Sequence, residues 1–213
     1  GNFSQSVYNK LKKINNNNNI DFHLFDPISK SRKYAQNLKF KNIYYNNIAI
    51  HNYNGETKFN LNNFFEPSGS SIQSINKNDK LWVSSRKLFL KLLNLKNNIG
   101  NFEEIVVKCK TIDNYVFKNN IDDIHILKID TEGNEFHVLE GAINTLKKNK
   151  VKIIYLEILE YKSIFDIKKD RILNYLKNFG FECINEKNLK LSSMLSNIKV
   201  QDLVFYNKNL KQD

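Results

Sequence analysis

An apolar hexapeptide, IHILKI at 124–129, runs straight into three carboxylates, Asp130, Glu132 and Glu135, with Gly133 among them. Apart from His125 and Lys128 it is continuously apolar, the pattern of a parallel strand covered on both faces. Behind the acids, Val138, Leu139, Ala142, Ile143 and Leu146 recur at helical spacing and make one apolar face. In open α/β sheets, ligands bind beyond the carboxyl ends of the strands. Asp130 to Glu135 fall at such an end.

The rest of the chain repeats this alternation. FHLF (22–25), NIYYNNIAI (42–50), ETKFNL (56–61), EIVVKC (104–109), KIIYLEI (152–158), FECI (181–184) and DLVFY (202–206) read as strands. Asn54-Gly55 is a turn signal between two of them, predicting strand, turn, strand. Helices are expected at 29–39, near 112–119 and around Ile172, Leu173, Leu176 and Phe179, the last closing at Gly180. Alternation of this kind implies a mostly parallel α/β sheet. The 213 residues fit one domain, 1–213, with no linker to divide it. Segment 66–103, poorly patterned and holding Trp82, reads as an insertion or a lid over a site.

Charge and cysteines exclude several classes. The net charge of +11 rests on 33 basic residues, of which only Arg32, Arg86 and Arg171 are arginines. Nucleic-acid recognition favours the planar fork of arginine and a clustered charge. Here the lysines are spread along the chain beside abundant Asn and Ile, so they form a solvated surface and no specific nucleic-acid partner is expected. Asn15 to Asn19 read as a polar loop. No apolar run is long enough to span a bilayer and the start does not read as a signal peptide. Cys109 and Cys183 lie in separate apolar segments without CxxC spacing, as buried thiols suited to a reducing cytoplasm.

The acids themselves allow two readings. Carboxylates at a helix N-terminus cap its free N–H groups and suit its dipole, so Glu132 and Glu135 have a structural explanation. One or two suffice for a cap, however, and mutual repulsion makes a third costly unless a cation, a proton or a ligand offsets it.

LKIDTEGNEFHVLEGA (127–142) resembles the signature of the FkbM family of S-adenosylmethionine-dependent methyltransferases: Lys-Ile-Asp, one residue, Glu-Gly, one residue, Glu, then Val-Leu-x-Gly. TIDNYV (111–116) looks like the family's Leu-Asp segment, and IAIHNYNGETKF (48–59) is similar to its stretch after the third strand. HLFDP (23–27) is similar to the end of the family's second strand, and KIIYLEI matches the next strand, with its terminal Glu157. The resemblance implies a Rossmann-like class I methyltransferase sheet, mostly parallel with an antiparallel C-terminal strand. S-adenosylmethionine would lie across the strand ends. Asp26 would accept from its ribose hydroxyls, and Ala49 and Ile50, with His51 beside them, would flank its adenine. His51 alone is an ordinary packed or surface histidine. Such a sheet opens with a strand running into a glycine-rich loop. This chain begins GNFSQSVYNKL, which looks like the tail of that loop, with Gly1 and Asn2 against the donor and the first strand missing. An amino-terminal truncation is the expectation.

Methyl transfer needs the acceptor oxygen in line with the methyl carbon and a group to take its proton. Asp130 is expected at the donor–acceptor junction, with Glu132 and Glu157 orienting or deprotonating a hydroxyl of a sugar, glycan or small natural product. Gly133 lets the backbone turn closely; for Glu135 capping is a sufficient account. A divalent cation on oxygen ligands stays open, while no His or Cys spacing supports zinc. Two rivals remain: a nicotinamide-dependent oxidoreductase, although a complete GxGxxG is absent, and a non-catalytic Rossmann-like binding domain whose acids are only caps. Neither the acceptor nor the oligomeric state is readable.

Overall fold

The computed structural model describes residues 2–14, 20–38, 41–62, 102–189 and 198–210. Its elements begin with α1 (Asn2–Ile14), β1 (Asp21–Phe25), α2 (Arg32–Gln36), β2 (Asn42–Asn46), β3 (Ala49–Ile50), β4 (Gly55–Asn62) and β5 (Phe102–Lys110). They continue with α3 (Ile112–Lys118), β6 (Ile124–Ile129), α4 (Glu135–Glu140), α5 (Ile143–Lys147), β7 (Val151–Tyr161), α6 (Lys162–Lys177), β8 (Phe181–Leu189) and β9 (Ile198–Asn207). The strands form a parallel pair β1-β2, a sheet ordered β3-β5-β4 and a sheet ordered β6-β7-β9-β8. The α/β class is as expected and the last strand runs antiparallel to β7, but the described strands are not mostly parallel: β1-β2, β3-β5 and β6-β7 pair parallel, while β4-β5, β7-β9 and β8-β9 pair antiparallel.

One continuous core holds the largest sheet to its helices. Alternate residues of β7, namely Ile154, Leu156 and Ile158, are buried with Leu203 and Phe205 of β9 and Ile172 and Leu176 of α6. The apolar face read at 138–146 joins them, with Val138, Leu139, Ala142 and Leu146 at most 3% exposed. Side chains alternate across a strand, so Tyr155 and Glu157 occupy the opposite face of β7. There Phe3 of α1 packs on Tyr155, ring centroids 4.7 Å apart.

That helical face is broken into α4 and α5, and the break has two causes. A Cβ on Gly141 would lie 2.2 Å from the backbone oxygen of His51, so this point of the chain is pressed against the loop after β3. Asp113 of α3 then starts a new helix. Its Oδ2 accepts from the Asn144 backbone N–H at 2.9 Å and its Nδ2 at 3.0 Å; its Oδ1 accepts from the Thr145 N–H at 2.8 Å and its Oγ1 at 2.7 Å.

Other expectations need correction. The strands around Asn54-Gly55 do not pair with each other. Both flank β5, where Cys109 is opposite Ala49 on one side and Gly55 on the other. Phe59, Val107 and Cys109 form a second buried cluster, which rewards that arrangement. IHILKI is not covered on both faces by the described residues: Ile129 is buried, but Ile126, Leu127 and Lys128 are half-exposed. The stretch 29–39 is shorter than expected, a 3-10 turn at Ser29–Ser31 leading into α2. Of the expected insertion, Phe102 and Glu103 belong to β5, while the rest lies outside the described residues, as do Asn15 to Asn19. Gly180, at φ +82°, does close α6, its N–H reaching the Lys177 carbonyl at 3.0 Å. Both cysteines are free thiols, Cys109 buried and Cys183 half-buried.

Candidate active site at the carboxyl end of β6

After Ile129 the chain reverses through a tight turn in which Glu132 and Gly133 both take positive φ, +51° and +103°. Glycine enters that region freely, whereas Glu132 has to be held there. The holding group is Glu135. Buried at 4% exposure, it turns Oε1 back to accept from the Gly133 N–H at 2.8 Å and from the Thr131 N–H and Oγ1, each at 3.2 Å. Burial raises the proton affinity of Glu135, and these bonds pull it partly back. Glu135 therefore fastens the turn, in line with its structural reading.

Asn134 fastens the same turn to β3. Its Nδ2 donates to the Ile50 carbonyl at 3.0 Å, and its buried Oδ1 has no partner among the described residues. Ala49 and Ile50 are buried at this junction. His51 is packed: its ring stacks on His137 at 4.9 Å, meets Tyr53 edge-on at 4.5 Å and lies 2.6 Å from Asn52 Oδ1 through Nδ1. Burial lowers its proton affinity.

Asp26 closes β1. Its Oδ1 accepts from the Ile28 N–H at 2.8 Å, and burial raises its proton affinity above the ordinary aspartate value. Its backbone is tied to the end of β2, with its N–H on the Asn46 carbonyl and its own carbonyl taking the Asn47 amide at 2.9 Å. Of the two residues expected at the donor's methionine end, Gly1 lies outside the described residues and Asn2 begins α1, its side chain likewise undescribed.

The remaining acids form a row. Ile129 is in register with Leu156, so Asp130 stands one step on, level with Glu157. Glu157 is paired with Asp202 across β7 and β9. Strands β7 and β9, with the residue just past the end of β6, thus bring one carboxylate each to the same end of the sheet, beside Tyr155 and Phe3. Asp130 is ion-paired with Lys128, two residues back on the same side of β6. Glu157 has its proton affinity raised by burial first and then by Asp130, with Lys128 opposing and Asp202 and Glu135 adding to it. Tyr155 is pushed up to about 12 by burial, a hydrogen bond to Asp202 and the neighbouring acids. Glu132 is half-buried in the turn, and of the expected catalytic acids Asp130 lies close enough to Glu157 to act on its charge.

Among the described residues no group of three or more His, Cys, Asp or Glu side chains is arranged to hold a metal ion. No helix among them is long and apolar enough to cross a membrane.

A family model for the methyltransferase FkbM domain matches residues 2–183. The chain belongs to the FkbM methyltransferase family. No curated protein and no solved structure matches it. The FkbM match takes in α1, β1, the junction at Ile50 and the acidic turn, and it ends at Cys183 inside β8. Asp202 therefore comes from beyond the matched span. Its sequence context, QDLVFY, puts Asp202 on the face opposite Leu203 and Phe205, yet nothing local indicates which residue of β7 it meets. Lys128 was open to notice, since residues two apart on a strand share a face.

Proposed function

We propose that this methyltransferase domain moves a methyl group from S-adenosylmethionine to a hydroxyl of a sugar, glycan or small natural product. The observation carrying this reading is the row of Asp130, Glu157 and Asp202 beside a turn that Asn134 ties to Ile50. Residues expected to meet the donor and residues expected to meet the acceptor are thereby neighbours.

The donor's requirements fit the chain at two points. Asp26 is a fixed, half-buried carboxylate at a strand end, the chemistry that accepts from paired ribose hydroxyls. The unpartnered buried Oδ1 of Asn134 is an acceptor at the junction with Ala49 and Ile50, the stretch assigned to adenine. When bound, the donor supplies an electrophilic methyl carbon on a sulfonium. Asp130 offers negative charge to that centre, and Glu157, with its raised proton affinity, takes the proton of the acceptor hydroxyl. Glu132 shapes the turn and orients the acceptor from it.

We also read the fold as a class I methyltransferase sheet with one strand missing between β1 and β6. Among the described strands, β1 pairs only with β2 and β6 only with β7, so each has an edge to offer. The two free thiols suit a reducing, cytoplasmic setting.

Calorimetry tests the reading. S-adenosylhomocysteine should bind and NAD should not; the reverse result would replace methyl transfer with hydride transfer. Asp130→Asn should then abolish most transfer to the acceptor while leaving the fold intact. Undiminished transfer would remove Asp130 from the chemistry.

A further inference from the structure

Lys128 is a lysine inside a strand, with a side chain only 27% exposed. Its ammonium pairs with Asp130 and also lies 5.3 Å above the ring of Phe3, in the first turn of α1. Phe3 in turn packs on Tyr155, the residue in register with Lys128 on β7. The groups acting on Glu157 are Asp130 and Lys128 from β6, Asp202 from β9 and Glu135 from α4; α1 contributes the uncharged Phe3 on this face. Lys128 is the single cation in that set.

A sulfonium donor and its thioether product differ by a methyl group and by one positive charge. A row of carboxylates must favour the charged form, and any cation fixed within the row weakens that preference. We propose that Lys128 is a positioning residue: its ammonium, braced on Phe3, fixes Asp130 at the head of the row and sets how strongly the row prefers a sulfonium to a neutral thioether. The role rests on the donor placement proposed above. It also gives Lys128 a part in product exchange, because a site too negative holds the donor well and meets its thioether poorly.

The test uses Lys128→Met and Lys128→Arg, with S-adenosylmethionine and S-adenosylhomocysteine titrated into each by calorimetry. The ratio of the two Kd values is read within each variant, so any loss of folding common to both ligands cancels. Lys128→Met should shift the ratio toward S-adenosylmethionine by roughly three- to tenfold, while Lys128→Arg should stay close to the starting ratio. An unchanged ratio in Lys128→Met overturns the inference.

A second measurement needs no nucleoside. The titration midpoint of the Glu157 carboxyl carbon, followed by NMR, should rise in Lys128→Met and hold in Lys128→Arg. An unmoved midpoint also overturns the inference. If the midpoint rises but neither nucleoside binds the unaltered chain, the donor placement fails, and Lys128's role in ligand choice fails with it, while its pairing with the row stands.

Discussion

Two sets of acids in this chain are treated in opposite ways by the fold. Asp113 and Glu135 are surrounded by donors: Asp113 takes four hydrogen bonds from Asn144 and Thr145, and Glu135 takes three from the turn it closes. Asp130, Glu157 and Asp202 face one another, with Lys128 paired to Asp130 and opposing the acids' effect on Glu157. A carboxylate whose lone pairs are filled by its own chain has little left to offer a ligand. One held beside other carboxylates retains capacity for a cation or a proton. The contrast separates acids that build the turn and its helices from the acids proposed to act on a ligand.

The comparison breaks most readily at Asp113. Asp113→Ala removes the cap of α5 and the clamp from α3 together, and should lower stability by about 2–3 kcal/mol in chemical denaturation. A loss below about 0.5 kcal/mol would mean that saturation by donors is no guide to a structural role.

Next comes the close contact between the α4–α5 break and the loop after β3. Gly141→Ala drives a Cβ into the His51 carbonyl, which is backbone and yields only if the loop moves. About 1–3 kcal/mol of destabilisation is expected, together with weaker binding of S-adenosylhomocysteine. Normal binding at lowered stability would separate the junction from the donor site.

Glu157 sharpens the other half of the comparison. Its folded-state proton affinity is raised, so the folded chain holds this proton to higher pH than the unfolded chain does. Its contribution to stability is therefore full below the ordinary glutamate range and is lost as pH rises through the elevated midpoint. Glu157→Gln should remove that decline, gaining well under about 1 kcal/mol at neutral pH because the side chain is partly solvated. Urea denaturation of both proteins from pH 4 to pH 7 reads the difference. A gap that fails to change with pH would mean that burial and the neighbouring acids do not raise the proton affinity of Glu157.

The smallest effect is a control. Lys58 and Glu104 form an exposed pair at 2.8 Å across the antiparallel strands β4 and β5, and Lys58→Ala should change neither stability nor binding measurably.

What could be read before folding follows the reach of each interaction. β6, its turn and the helical face beyond it are local patterns, and they were legible as a strand, a reversal and an apolar stripe. The structural role of Glu135 was legible for the same reason, since its partners lie two and four residues away. Asp113 was visible only as part of a motif, because the groups it clamps are 31 and 32 residues distant. Nor did the local turn signal at Asn54-Gly55 reveal that β5, from far along the chain, takes both neighbouring strands as its partners. Asp202 was hidden by the same limit. It joins the site through an antiparallel register between β7 and β9, which no spacing in the sequence records.

That register has a consequence for how the molecule tolerates change. Were β9 to gain or lose one residue ahead of Leu203, the position beside Glu157 would pass from Asp202 to a neighbour facing the other way, while the hydrogen-bonded ladder survived. Such a chain would still assemble its sheet and could look normal by circular dichroism. Its electrostatics would be rewritten. Length variation in this strand would thus be expected to silence the protein without unfolding it.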